Sequence, residues 1–341
     1  MNRERDPANP TPEELRETAA SEGLMATEEE TDPEFEAHDV AEPGAEKRRS
    51  PDERVLVGAV RAVEQANALD GPGKALGKAV RNSMGPGALK DALSGTWLGH
   101  ALHPLLTDIV IGSLVSATLL DVLGGDDDGQ AAERLIAVAL AAYGPTALSG
   151  AHDWADTEVV DPRIRRVGLA HAAANSTAIS LYAASLVARR KGAAGRGKLL
   201  GLSGAAALAA GGYLGAHMSF VQGVGPNQTA FDAGPGDWAD AGESAGLTQG
   251  EPRSVVVGDT PVLLLRDGEH LHAIHDRCSH RGCLLSDGEI DGEDVVCACH
   301  GSRFRLDDGS VQRGPATAPQ PVFETRENGG RVELRLRQPA D

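Results

Sequence analysis

Between Gly99 and Val221 the chain carries four long apolar runs separated by short polar breaks, and the sequence on either side does not. The runs are Leu105–Leu123, Leu135–Ser149, Val167–Val187 and Leu199–Val221. A run of about 20 apolar residues matches the thickness of a hydrocarbon core. The second run is shorter and needs its flanking residues to reach across. A helix on the surface of a soluble protein shows a polar stripe, and a stretch such as GLSGAAALAAGGYLGA has none. Abundant Ala, Gly and Ser allow helices to approach closely inside lipid. The pattern predicts a four-helix membrane domain over residues 95–221, in preference to a soluble Ala-rich bundle.

The flanking segments read differently. Leu56, Val60 and Val63 are spaced for one amphipathic helix over 51–67, and residues 74–84 for a second. Gly71-Pro72-Gly73 and Gly85-Pro86-Gly87 punctuate them, so 51–94 is expected to be short amphipathic helices on the bilayer surface or on the next domain. Residues 222–248 are rich in Gly, Asp and Ala without periodicity and read as a flexible linker, with a root-mean-square reach of about 25–30 Å. From residue 249 the period falls to two. Ser254–Val257, Pro261–Leu265, Leu271–Ile274, Asp294–Val296, Phe304–Leu306, Val322–Thr325 and Val332–Leu336 are strand-like, with turn signals at Asp267-Gly268, Asp308-Gly309 and Asn328-Gly329-Gly330. The expected fold class is therefore multidomain α plus all-β. An N-terminal four-helix transmembrane bundle precedes a small antiparallel β domain over 249–341.

Charge sharpens these boundaries. The net charge of −18 resides in residues 1–50 and 222–341, at −9 each, while 51–221 is neutral. A nucleic-acid-binding chain needs a basic footprint, so no nucleic-acid partner is expected. Residues 1–50 have few large apolar side chains and read as a disordered acidic tail. They lack the basic-then-apolar order of a signal peptide. Arg163, Arg165 and Arg166 lie in one inter-helix loop, and Arg189, Arg190, Lys191, Arg196 and Lys198 in the next. Basic loops favour the cytoplasmic side, and here the two loops pull in opposite directions. Keeping the N-terminal segment untranslocated favours a multi-pass protein of the cell membrane with both termini and the β domain in the cytoplasm.

The chemistry is concentrated in CSHRGC and CACHGSRF. These place Cys278-x-His280 and Cys297-x-x-His300 on two loops, with sixteen residues between His280 and Cys297. Two thiolates and two imidazoles suit a Cys₂His₂ zinc site or a [2Fe–2S] cluster with Cys₂ on one iron and His₂ on the other. Cys283 and Cys299, the remaining cysteines of the chain, end the two boxes and are superfluous to zinc, which favours the cluster. Gly282 and Gly301 stand where a loop backbone must come close to inorganic sulfide.

These boxes resemble the Rieske family, in particular its disulfide-containing subgroup. The resemblance implies that Cys278, His280, Cys297 and His300 bind the [2Fe–2S] cluster and that Cys283 and Cys299 form a bridge between the loops. It implies that Ser302 hydrogen-bonds a bridging sulfide, and that Gly314-Pro315-Ala316 covers the cluster's third side. Where high-potential relatives have Tyr, this chain has Phe304, so a potential below that of quinol-oxidising Rieske proteins is expected. His280 and His300 are expected to be exposed at the domain tip, coupling electron to proton transfer.

In an up-and-down bundle, His100, His103, His152, His171 and His217 all fall on one side of the membrane, with Asp108, Asp153 and Asn175 nearby. Ionisable groups in membrane helices point to function. Haem b ligation, a metal ion, a proton and quinol site, and simple interfacial capping are the open readings of this second candidate site. Residues 95–222 also resemble a family of bacterial membrane proteins of unknown function (the one numbered 2231), through Gly99, His103-Pro104, Gly150 and Asp153-Trp154. The expected function is a membrane-anchored electron carrier, an oxidoreductase component rather than a stand-alone catalyst, passing electrons from a donor such as quinol to another redox protein. The alternatives are a ferredoxin-like donor to a separate oxygenase or reductase, and a redox sensor.

Overall fold

The computed structural model describes residues 51–85 and 87–338. The expected acidic tail over 1–50 lies outside the described residues. Seven α-helices precede ten strands: α1 (Pro51–Glu64), α2 (Asp70–Ser83), α3 (Ala88–Ser94), α4 (Leu102–Leu123), α5 (Gly129–Thr157), α6 (Pro162–Arg190) and α7 (Ala194–Phe220). Each of the four long helices begins before its apolar run, and α5 and α6 also continue beyond it. The short helix α3 has no counterpart among the expected elements.

Helices α4 and α5 form one closely packed hairpin and α6 and α7 another. Their shared core holds Val110, Leu114, Ile136, Ala178, Tyr182 and Leu208. Helix α6 starts cleanly because Pro162 occupies its first turn and the Asp161 side chain accepts the Arg163 amide at 2.7 Å. Pro145 lies inside α5, on its exposed side, without ending it.

The hairpins repeat one another. His103 and His171, Val110 and Ala178, Leu114 and Tyr182, and Asp121 and Arg189 are each 68 positions apart. Thr146 and Gly211, Gly150 and Gly215, and His152 and His217 are each 65 apart. Two of these pairs meet across the two hairpins. The Tyr182 hydroxyl reaches the Leu114 carbonyl at 3.5 Å and Thr118 Oγ1 at 2.7 Å, and Arg189 forms a buried ion pair with Asp121.

Outward-facing Leu105, Ile109, Val115, Leu119, Val138, Leu148, Leu199 and Leu202 leave an apolar surface around the bundle. Of the long helices, α4, α5 and α7 are long and apolar enough to cross a membrane. Against the expected four spans, three helices among the described residues meet that length and composition. Helix α6 falls short because its middle carries His171, Asn175, Ser176, Thr177 and Ser180.

Strands β1 (Ala239–Glu243), β2 (Arg253–Val257), β3 (Thr260–Asp267), β4 (His270–His275), β5 (Glu289–Asp291), β6 (Asp294–Val296), β7 (Arg303–Arg305), β8 (Val311–Arg313), β9 (Phe323–Asn328) and β10 (Arg331–Leu336) form three antiparallel sheets. Their orders are β1-β10-β9, β2-β3-β4 and β5-β6-β7-β8. The β9–β10 hairpin closes on Gly329-Gly330, both at positive φ, as a two-residue turn of that twist requires. The segment expected as a flexible linker, 222–248, is folded onto the β domain. It contributes β1, pairs Gln228 N with the Ser279 carbonyl at 3.0 Å, and brings Asp232 to Thr260 Oγ1 at 2.6 Å.

The Asp121–Arg189 pair supplies a test. Removing one partner of a buried pair costs about 3–5 kcal/mol, whereas replacing both by apolar residues is close to neutral. D121L and R189L should each lower the thermal midpoint of the detergent-solubilised protein, and the double variant should recover most of the loss. Additive losses in the double variant would show that the pair contributes nothing jointly.

Candidate metal centre

Two loops of like construction carry the cysteine boxes. The first joins β4 to β5 and the second joins β6 to β7. In the first, Gly282 N donates to the Cys278 carbonyl at 2.8 Å; in the second, Gly301 N donates to the Cys297 carbonyl at 3.0 Å. The two glycines adopt φ of +76° and +77°, a left-handed conformation that a side chain disfavours. Each box thus turns back on itself four residues after its cysteine.

The loops are bridged by a disulfide between Cys283 and Cys299. Cys278 and Cys297 stay unbonded and buried, in a core with Phe304, Leu285 and Ala316. The closest three-residue cluster of metal-capable side chains among the described residues is Cys283, Cys297 and Cys299, but the disulfide removes two of its members as ligands. His280 and His300 face each other edge to face, with ring centroids 5.0 Å apart. His280 Nδ1 is buried with no hydrogen-bond partner, a costly state unless something else binds the atom. Two free thiols, an orphaned imidazole nitrogen and a second imidazole fit the Cys₂His₂ donor set of the cluster.

Their surroundings set the protonation of these groups. The Cys278 thiol donates to Cys297 and, with the Cys299 and His300 amides, holds Cys297 down at about 6 against the opposing effect of burial. The same bond, then burial, pushes Cys278 up. Burial keeps His280 well below the ordinary imidazole range and also lowers His300, so both stand neutral with a lone pair available.

Asp276 organises the first loop and was not recognisable from the sequence. Fully buried, it accepts Ser286 N at 2.7 Å on Oδ1 and the Ser254 and Ser286 hydroxyls at 2.6 and 2.8 Å on Oδ2. Its own amide donates to the Pro261 carbonyl at 2.8 Å. Only the fold joins β2, β3 and the loop at that carboxylate; nothing local marks it. Ser302, expected beside the cluster, is buried and accepts the Ala316 amide at 3.0 Å. Its hydroxyl proton stays free for a second acceptor. Phe304 is fully buried beneath the two free cysteines.

The histidines are not exposed at a free tip, contrary to expectation. Lys90 on α3, buried and paired with Asp156 of α5 at 2.8 Å, donates to the His300 carbonyl at 3.3 Å. Asp91 accepts the Gly314 amide at 2.9 Å. Gly314 has no room for a side chain, since a Cβ there would lie 2.2 Å from Thr96 Oγ1. Arg281 donates to the Gly223 carbonyl at 3.0 Å. The loops therefore rest on the end of the helical region, beside a cleft of about 510 Å³ that reaches His300, Lys90 and Asp156.

The five bundle histidines do not gather into one site. His100 is exposed, and His217 Nε2 lies 3.1 Å from Glu64. His152 is 2% exposed, with Nδ1 3.2 Å from Asp153 and the His280 ring within electrostatic range. His103 and His171 remain in the bundle, each bound to a neighbouring helix. The 68-residue repeat would have singled out this last pair, but its small residues mask it.

Comparison with known proteins gives two matches in tandem. Residues 237–324 match the Rieske [2Fe-2S] domain, and residues 99–228 match the family described as Predicted membrane protein (DUF2231). The anthranilate 1,2-dioxygenase ferredoxin subunit of Burkholderia cepacia is 32% identical over 100 residues, which is 29% of this chain and 93% of that protein. Ferredoxin CarAc of Metapseudomonas resinovorans is 36% identical over 76 residues, 22% of this chain and 71% of its own length. The 3-phenylpropionate/cinnamic acid dioxygenase ferredoxin subunit of Escherichia coli (strain K12) is 31% identical over 88 residues, 25% of this chain and 83% of its own.

The free Ser302 proton yields a prediction. A hydrogen bond that favours the reduced over the oxidised cluster by about 1.4 kcal/mol raises a one-electron potential by about 59 mV. Ser302→Ala should lower the midpoint by about that amount with the cluster's electron paramagnetic resonance signal retained. An unchanged midpoint would mean that the hydroxyl does not reach the sulfide.

Proposed function

The chain belongs to the Rieske [2Fe-2S] family, and on that premise we propose that it is a membrane-anchored single-electron carrier whose cluster is held by Cys278 and Cys297 on one iron and His280 and His300 on the other. Electron transfer through a Rieske cluster is the property shared with the relatives; the ligand assignment is carried by the two free buried thiols and the orphaned His280 nitrogen. When bound, the cluster supplies a one-electron couple, and histidine in place of thiolate raises its potential.

The protein's own residues position and insulate that couple. The disulfide ties the two loops together, and Gly282 and Gly301 let their backbones fold close to the site. Phe304 and Leu285 keep water away from the thiol side. On the histidine side, Lys90 and Asp156 replace water with a fixed ion pair. Helices α4, α5 and α7 are the membrane anchor in this reading, and the cytoplasm is the side assigned to the β domain.

Quinol is the donor class proposed for the membrane side, because the cleft beside His300 opens between the cluster loops and the helical region. A second reading, a ferredoxin-type donor to a separate oxygenase, is supported by the relatives' names, since all three are ferredoxins and two are dioxygenase subunits. The docked loops weigh against it, because an external oxygenase would meet the helical region before the histidines.

Purified full-length protein in detergent separates the two. Mixed with a soluble quinol, the cluster should be reduced within seconds, and His300→Cys, by restoring a thiolate at that position, should lower the potential and abolish this reduction. Reduction only by a flavoprotein reductase, with no response to quinol, would favour the ferredoxin reading. Absence of the rhombic Rieske resonance in fully iron-loaded protein would overturn both.

A further inference from the structure

The repeat in the helical region brings one further pair of histidines into equivalent places. His103 lies near the start of α4, and its Nδ1 is 3.1 Å from the Thr146 carbonyl on α5. His171 lies in α6, and its Nδ1 is 2.8 Å from the Gly211 carbonyl on α7. Each contact places the ring proton on Nδ1 and leaves the Nε2 lone pair for another partner, the arrangement by which proteins orient a histidine for ligation. Four residues beyond each carbonyl is a glycine that receives the ring. A Cβ at Gly150 would lie 2.5 Å from His103 Cε1, and one at Gly215 would lie 3.0 Å from His171 Cε1. The equivalence extends to the seats, so it is not an accident of one contact.

The packing changes at this level. Val110 and Ala178, two turns beyond the histidines, begin the buried core that continues through Leu114 and Tyr182. At the histidine level His103, Leu106 and Thr107 of α4 and His171, Ala174 and Asn175 of α6 are only half-buried, while Thr146 and Ser149 of α5 and Gly211 of α7 are buried. Interiors close to full density where they can, so the gap is a looser interval between α4 and α6, sealed on one side by the core. The two imidazoles lie within electrostatic range of each other across this gap.

We infer that the helical region binds an iron porphyrin of the haem type in this gap, with His103 and His171 as its two axial ligands. The donor set selects the ligand. Among the described residues no third His, Cys or carboxylate joins the two imidazoles within coordinating range, so a bare tetrahedral ion would lack half its ligands. A porphyrin already supplies four nitrogens and needs two more. The Asn175 Nδ2 lies 3.1 Å from His171 Nε2, 3.3 Å from its Nδ1 and 3.1 Å from its carbonyl oxygen, so the amide stands against the ring and must turn aside on ligation. Gly150, beneath the His103 ring, is six residues from Asp156 on the same helix, about 9 Å along the axis. A haem there would stand close to the cluster loops, so one electron could pass from the reduced cluster to ferric iron with no proton or further reactant.

The test uses full-length protein in detergent, titrated with haemin and followed by its Soret absorption and by electron paramagnetic resonance. One haem per chain with a low-spin bis-imidazole signature is expected. His103→Ala and His171→Ala should each reduce bound haem at least tenfold while the [2Fe-2S] resonance per chain is unchanged; His100→Ala and His217→Ala should bind fully. Should the alanine variants misfold, His171→Met answers the same question, since it should retain haem at a raised potential. Protein with a full complement of cluster that binds no haemin, or haem that survives in both alanine variants, overturns the proposal. Neither outcome touches the cluster assignment, which is read from its own signal.

Discussion

The buried pair of Lys90 and Asp156 is the contact on which the architecture turns. It joins the short helix α3 to the end of α5 and presents an ammonium to the carbonyl of His300. Two charges taken out of water are costly unless their geometry and hydrogen bonding are good, and here the cluster loop provides part of that bonding. The helical region and the β domain therefore complete each other: without the loop the lysine loses an acceptor, and without the ion pair the histidine side of the cluster lies open. Asp91 to Gly314 and Arg281 to Gly223 close the same seam on either flank.

Repetition governs both halves of the molecule. The two cluster loops share a turn in which a glycine four residues after the cysteine folds back, and the two helical hairpins share a histidine seated on a glycine of the neighbouring helix. In the loops the glycine is required by its left-handed φ, and in the hairpins by the close approach of the ring. Where the hairpin mates meet, through Leu114 and Tyr182 and through Asp121 and Arg189, the bundle is closed. At the histidine level the α4 and α6 side chains are only half-buried, and that end faces the cluster.

Legibility from the sequence followed the range of the interactions. The cysteine boxes were readable because their Cys and His residues are close in sequence, and the long helices because apolar content persists for many residues. Strand β1 was hidden in a Gly- and Asp-rich stretch, since only its pairing with β10 makes it a strand. Asp276 looked like any loop acid, and its role depends on Ser254 and Ser286 arriving from elsewhere. The docked position of His280 and His300 depends on α3, seven residues whose only local mark is a glycine on either side. Of the four long helices, α6 is the one whose polar residues, including the very histidine used in the repeat, lower its hydropathy.

The central claim is that the cluster is held against the helical region by this seam rather than swinging on a tether. The native cysteines are all engaged by the cluster or the disulfide in the loaded protein, so Leu89→Cys on the exposed face of α3 offers a single position for a nitroxide. The distance from that label to the reduced cluster, measured by pulsed electron paramagnetic resonance, should fall in one narrow, short distribution that broadens when Lys90 is replaced by alanine. A broad distribution in the unaltered chain, extending to the reach of about 25–30 Å expected of a free linker of this length, would contradict it.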